Sequence, residues 1–344
     1  MAFLPGSAII KYITMRFMNR RCCMKIFLTG ATGFVGSAVL RRLVGAGHTV
    51  KGLAQTEEKA REVKKAGGVP VMGDLLVPAP WSESVKDCDL AISLSSPFKV
   101  TESLTFSEAQ RRAETHSEMV GNLLLACRKS KVQAVVLSNH VTAFGSQGDR
   151  WASEILSINP TGLSRPLAAA YWDIEKAAKK AGVPTIEVFL GWVYGPGSWF
   201  KHYVVAGLKA GTLKVVGAGN NYKSLVHIND AAEGYKLVVD KMPLGERYCL
   251  VDNHPITQKQ FLNLVASEMR LPEPRHIDYG IFAANMGEVL AEALDSSVRV
   301  TNNKAKNELG FDPAYPSYCH GVPEVLRSLG IEPKTTEMPK AAGF

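Results

Sequence analysis

Three glycines spaced by three, Gly30, Gly33 and Gly36 in LTGATGFVG, are the first residues whose arrangement could hold a ligand. They fall between an apolar run, KIFLTG, and a stretch with Val35, Val39, Leu40 and Leu43 at helical spacing. In that setting Gly30 permits a tight turn and Gly33 lets the backbone approach a pyrophosphate. Gly36 lets helix and strand pack closely. The helix start adds unpaired N–H groups and a partial positive charge. Thr32, Phe34 and Val35 complete this candidate turn. No Lys-Ser/Thr pair follows the glycines, which excludes a P-loop. A second stretch, SNHVTAFG from Ser138 to Gly145, follows the apolar run VQAVVL. Its polar residues stand where a buried strand would end. Histidine can act as general acid or base near neutral pH, so His140 is a catalytic candidate, and Thr142 offers a hydroxyl two positions on. Ser138 has no base or elbow motif to make it a nucleophile.

The elements that must position these residues alternate from Lys25 onward. KIFLTG, HTVKGLA, VPVMGDL, DLAISLSS, QAVVLSN and TIEVFLGWVYG read as strands. FVGSAVLRRLVGAG, EEKAREVKKAG, a long stretch from about Ser107 to Lys129, and WDIEKAAKKAG read as helices between them. Strands alternating with helices argue for an α/β fold, a Rossmann-type doubly wound parallel sheet covered on both faces. The reading assigns residues 24–195 to a dinucleotide-binding domain, with about 224–252 returning to it. Residues 196–344 form mainly a smaller, mostly helical substrate lobe. Ligands of such sheets sit outside the carboxyl ends of the strands, and the lobe would close over that crevice.

Composition narrows the classes. The chain has 344 residues, 46% hydrophobic and 21% charged, ordinary for a globular protein. The net charge of +8 suggests nucleic acid at first sight, but five of the basic residues lie in the acid-free first 25 positions. The body carries no clustered Lys and Arg face, so no nucleic-acid partner is expected. No apolar run is long enough to span a bilayer, so no membrane partner is expected either. Six cysteines without a CxxC pair fit a reducing, cytoplasmic setting. Eight histidines without ligand spacing predict no metal site. Residues 1–23 read as an extension ahead of the natural-looking start MKIFLTG; an arginine-rich, acid-poor start also fits organelle targeting.

The glycine spacing resembles the short-chain dehydrogenase/reductase superfamily, in its extended branch of NAD(P)-dependent epimerases and dehydratases. GDL at Gly73–Leu75, VYGPG at Val193–Gly197, LVHINDAAEGY at Leu225–Tyr235 and NELGFDPAYPSYCHG agree in order. The resemblance covers about residues 24–330. It implies a cofactor, NADP or NAD, and a small-molecule substrate with a hydroxyl or carbonyl group, such as a nucleotide sugar. It places Asp74 and Leu75 at the adenine, and Ser95 and Ser96, with Leu94 before them, along the nicotinamide ribose. Ser138, Gly191 and Trp192 are further cofactor-binding candidates, and Gln55 ends the second strand. An acid there would select NAD and an arginine NADP. Ala54, Gln55 and Thr56 supply neither; Lys59 and Arg61 nearby favour NADP. The family habit is a homodimer.

The family's catalytic set is a serine, a Tyr-x-x-x-Lys pair on one helix face, and a supporting asparagine. None is kept here. His140 falls at the serine position and His116 at the asparagine position. For the pair, either Tyr171 is the tyrosine, with Glu175 replacing the lysine, or Tyr171 occupies the lysine position and Leu167 the tyrosine position. His140 and Tyr171 are then expected to line the reaction pocket as substitute proton donors. Trp172, Trp192 and Trp199 are read as pocket walls or core, and His227 and Asp230 as structural. Two functions follow: an NAD(P)-dependent oxidoreductase or epimerase, or a dinucleotide-binding sensor or assembly subunit with little or no turnover.

Overall fold

The computed structural model describes residues 23–77, 80–98, 105–160 and 164–335. The N-terminal extension as far as residue 22 lies outside the described residues. Seven parallel strands form the main sheet. They are β1 (Lys25–Thr29), β2 (Thr49–Ala54), β3 (Val69–Met72), β4 (Leu90–Ser93), β5 (Ala134–His140), β6 (Thr185–Leu190) and β10 (Arg247–Leu250). Their order is β10-β6-β5-β4-β1-β2-β3, each neighbouring pair parallel. The chain winds outward from β1 through β2 and β3, then crosses back to β4. The connections after β1 and β4 run to opposite sides of the sheet, which makes this the topological switch point, where doubly wound sheets place their ligands.

Alternation along each strand feeds two cores. Ile26 and Leu28 of β1, with Val136 and Val188, pack against α1 (Phe34–Gly45) and α5 (Ile228–Lys241). Phe27 between them packs with Val135 and Leu137 against α3 (Phe106–Ser130) and α4 (Ser164–Ala181). Full burial of such a side chain stabilises by about 1.5–3 kcal/mol. Local signals agree with the helices they open. Thr56 caps α2 (Glu57–Lys65), which starts with two glutamates and ends with two lysines. Thr105 and Glu108 form a capping box on α3.

Two elements differ from the sequence reading. Helix α4 begins eight residues before Trp172, because Pro166 falls in its first turn, where a missing N–H costs nothing. The run TIEVFLGWVYG is two strands, β6 and β7 (Trp192–Tyr194), broken at Gly191. The Gly191 N–H bonds to Leu250 of β10, whereas the Trp192 N–H bonds to Ser224, and β7 then pairs with β9 (Leu225–His227). A Cβ at Gly191 would lie 2.6 Å from the Ser224 carbonyl, so only glycine fits the change of partner. The C-terminal lobe has its own core, in which Phe200 and Val204 meet Phe261 and Val265 of α6 (Gln258–Glu268) and Val325 of α8 (Tyr318–Ser328).

Candidate functional site

The glycine turn sits at the β1–β4 divergence. Gly30 has φ +67°, and a Cβ there would lie 2.5 Å from the Leu94 carbonyl. A Cβ at Gly36 would lie 2.0 Å from the Gly30 carbonyl. At Gly33 the only atom met is the Gly30 carbonyl, at 3.2 Å, which leaves its outer side open. Helix α1 starts at this point with no side-chain cap and no acid in its first turn. Its first N–H groups, those of Phe34, Val35 and Gly36, are therefore available to an anion. An open glycine face beside an uncapped helix start fits a pyrophosphate.

The flanking residues extend this line in two directions. Towards β2 and β3, Gln55 donates to Asp74 at 3.0 Å, and Lys59 reaches the Gln55 carbonyl oxygen at 3.3 Å. Leu75 is buried, its carbonyl bound by Asn122 of α3. Towards β4, the buried Thr29 hydroxyl accepts from the Leu94 and Ser95 N–H groups and fixes that loop. The Ser96 hydroxyl accepts from the Phe98 N–H. His116 is one helical turn beyond Arg112, which holds the Pro97 carbonyl at 3.1 Å. Its Nδ1 is buried without a partner, and burial pushes its pKa down to about 4. A neutral imidazole with an unpartnered nitrogen, one turn from the residue that holds Pro97, suits a hydroxyl-bearing ligand.

The reacting end gathers around His140, the last residue of β5. The Thr142 N–H donates to His140 Nδ1 at 3.3 Å, and the Thr142 hydroxyl lies 2.9 Å from the same nitrogen. Nδ1 is thus the acceptor, and the hydrogen bonds assign the proton to Nε2. Burial, with the charge of Lys223 adding to it, pushes the His140 pKa down to about 4. The ring meets Trp192 edge to face at 5.2 Å, and Trp192 meets Trp199 at 5.8 Å. The Trp199 indole N–H is fixed on the Val193 carbonyl at 2.7 Å.

Some expected residues go elsewhere. Tyr171 is not brought to His140. Its hydroxyl donates to Glu187 and accepts from Arg247 at 3.0 Å. Glu187 pairs with Leu137, three residues below the His140–Leu190 pair in the β5–β6 register. Burial and the Glu187 charge raise the phenol pKa further. Helix α4 thus presents the Tyr171 hydroxyl to the middle of β6. Ser138 accepts from Tyr235 of α5 at 2.7 Å, which ties its hydroxyl to a helix. Trp172 is 47% exposed, on the surface rather than in a wall or core. Asp230 holds the N–H groups of Ala314 and Tyr315, and His227 contacts Glu324. Among the described residues, no three His, Cys, Asp or Glu are placed to share a metal, and no helix is long and apolar enough to cross a membrane.

A doubly wound parallel sheet, with an open glycine turn at its switch point, defines a Rossmann-type dinucleotide-binding protein. The chain belongs to the NAD dependent epimerase/dehydratase family, whose model matches residues 26–250. It is similar to the 4-hydroxy-2-methyl-3-oxo-4-farnesyl-3,4-dihydroquinoline-1-oxide ketoreductase of Stigmatella aurantiaca, 25% identical over 317 residues, which span 84% of this chain and 92% of that protein. Among solved structures, dTDP-glucose 4,6-dehydratase of Streptomyces venezuelae with NAD bound superposes with a TM-score of 0.74 at 20% identity, over 88% of this chain and 96% of that one. A human epimerase family protein with NADPH gives 0.73 at 17%, over 89% and 100%. These structures share the fold.

Proposed function

We propose that this chain is an NAD(P)-dependent carbonyl reductase in which His140 holds and polarises the substrate oxygen. The observation that carries it is the pairing at Nδ1. Two donors from Thr142 meet that nitrogen, which leaves Nε2–H as the outward donor of a neutral ring. A neutral imidazole N–H is a fixed hydrogen-bond donor, suited to charge developing on a carbonyl oxygen. It is placed where the family has a serine, and it needs no titration near neutrality. The similarity to a ketoreductase supports a ketone or aldehyde substrate. The aromatic walls Trp192 and Trp199 favour a flat, weakly polar one.

The residues around the glycine turn would hold the cofactor: Gly30, Thr32, Gly33, Phe34, Val35 and Gly36 at the pyrophosphate, Gln55, Asp74 and Leu75 at the adenine end, and Leu94, Ser95, Ser96 and His116 along the ribose. Bound there, the reduced nicotinamide supplies a hydride. Lys59 beside Gln55 supports NADP over NAD, and clearly tighter NAD binding would sink that preference. The test of the function is NADPH oxidation with a panel of aromatic ketones and aldehydes. His140→Ser should keep turnover within about tenfold and His140→Ala should lose roughly 10²–10³. NADPH binding with no oxidation by any carbonyl would instead favour a dinucleotide-binding subunit.

A further inference from the structure

The site as described has a group to hold the substrate oxygen and none to protonate it. Neutral His140 is a poor acid, and the Tyr171 hydroxyl is engaged three residues below. A third side chain packs on Trp192, the ring that also meets His140. Lys223 ends β8 (Tyr222–Lys223), two residues before the strand that pairs with Trp192. It is only 7% exposed. Its Nζ donates to the carbonyls of Ser296 at 2.8 Å and Ala293 at 3.1 Å. Both carbonyls lie at the end of α7 (Glu288–Asp295), where the helix dipole favours a cation.

An ammonium has three donors. Among the described residues the third meets no oxygen. Nζ lies 5.2 Å from the Trp192 ring centroid, and that ring is the one whose edge meets His140. Two ionisable groups bear on the lysine, Asp295 and His140, and the latter is neutral above about pH 4. Burial brings the Lys223 pKa down to about 7, with Asp295 opposing. An acid of that strength suits proton transfer near neutral pH.

We infer that Lys223 is the proton donor of this site, delivering its third proton to the substrate oxygen held by His140. This rests on the carbonyl-reductase reading above. The carbonyl carbon gains a hydride from the reduced nicotinamide, which is thereby oxidised. The C=O π pair moves onto oxygen. That oxygen takes the proton as the Nζ–H bond breaks, and the neutral amine recovers a proton from water.

The test uses the full chain and two readouts. The first needs no cofactor: lysines labelled with ¹³C at Cε are titrated by NMR. One resonance, absent from Lys223→Met, should have a midpoint near 7, while the others stay above about 9. The second is NADPH oxidation by p-nitrobenzaldehyde against pH. The wild-type kcat should be level below about pH 7 and fall about tenfold per unit above it. Lys223→Met should lose about 100-fold in kcat with KM within about threefold. Lys223→Arg keeps the charge and the carbonyl bonds, so it guards against a folding defect, and it should abolish the fall above pH 7. A role confined to capping α7 would leave the pH profile of Lys223→Arg unchanged. A Lys223→Met enzyme with wild-type kcat and profile, or a Lys223 resonance titrating above about 9, overturns the lysine and leaves the reductase reading standing. A wild type that binds NADPH but reduces no carbonyl overturns both.

Discussion

The two ends of the crevice work by different means. At Gly30–Gly36 the function is carried by backbone: three glycines, an open Cα and the first N–H groups of α1. At His140, Trp192 and Lys223 the proposed chemistry would be carried by side chains from three separate segments, β5, β7 and β8. A backbone site is intolerant of any side chain and indifferent to pH. A side-chain site tolerates replacement of its parts one at a time and is tuned by burial. The difference teaches where substitution kills the protein and where it reshapes the chemistry.

The largest effect should come from Gly30→Ala. The new Cβ would meet the Leu94 carbonyl at 2.5 Å with φ at +67°. A loss of roughly 3 kcal/mol or more by urea unfolding is expected, with NADPH binding abolished. Retained binding would break the comparison. Next, Lys223 sets a pH signature. Its folded pKa, about 7, lies below its ordinary 10.5. The unfolded chain therefore binds more protons between those values, and stability rises with pH there. Wild type should gain roughly 2 kcal/mol relative to Lys223→Met between about pH 7 and 9, read from unfolding midpoints at each pH. A flat difference would contradict it. Thr142→Val, which removes one of the two contacts at Nδ1, should slow carbonyl reduction by about tenfold and leave NADPH binding unchanged. The smallest effect on turnover should be that of Tyr171→Phe. It should keep kcat within about twofold but cost about 1–2 kcal/mol of stability, because Glu187 and Arg247 keep their ion pair but each lose a hydrogen bond to the phenol. A large fall in its kcat would restore the tyrosine to the chemistry.

The sequence and the structure agree best where the cause is local. The glycine spacing, the apolar alternation of β1 and the caps at Thr56 and Thr105 act within a few residues, so the sheet, its helices and the phosphate turn were legible. The place of His140 at a strand end was also legible, because its polar neighbours close a short apolar run. Its protonation state was not, since Nδ1 is decided by the fold of Thr142 back onto it. The hydrogen bonds of Tyr171 were not legible, because helical spacing gives the face of a residue but not its height along the neighbouring strands. Lys223 carried no signal of its own: its acceptors, Ala293 and Ser296, are about 70 residues further on, and a lone lysine before an apolar strand reads as solvent-facing. The one cue was its position two residues before LVHIND, the segment that pairs with β7.

The break at Gly191 has a consequence for the wall of the crevice. Leu190 is held in the main sheet, and Trp192 is held by Ser224 and β9. The indole is thus mounted on backbone clamped from both sides, and Trp199 and His140 restrict its rotation. The ordering entropy of that surface was lost when the chain folded, so a flat substrate laid against Trp192 has little left to immobilise. Selectivity at this wall then follows from shape, with slow departure of the ligands that fit and weak capture of those that do not.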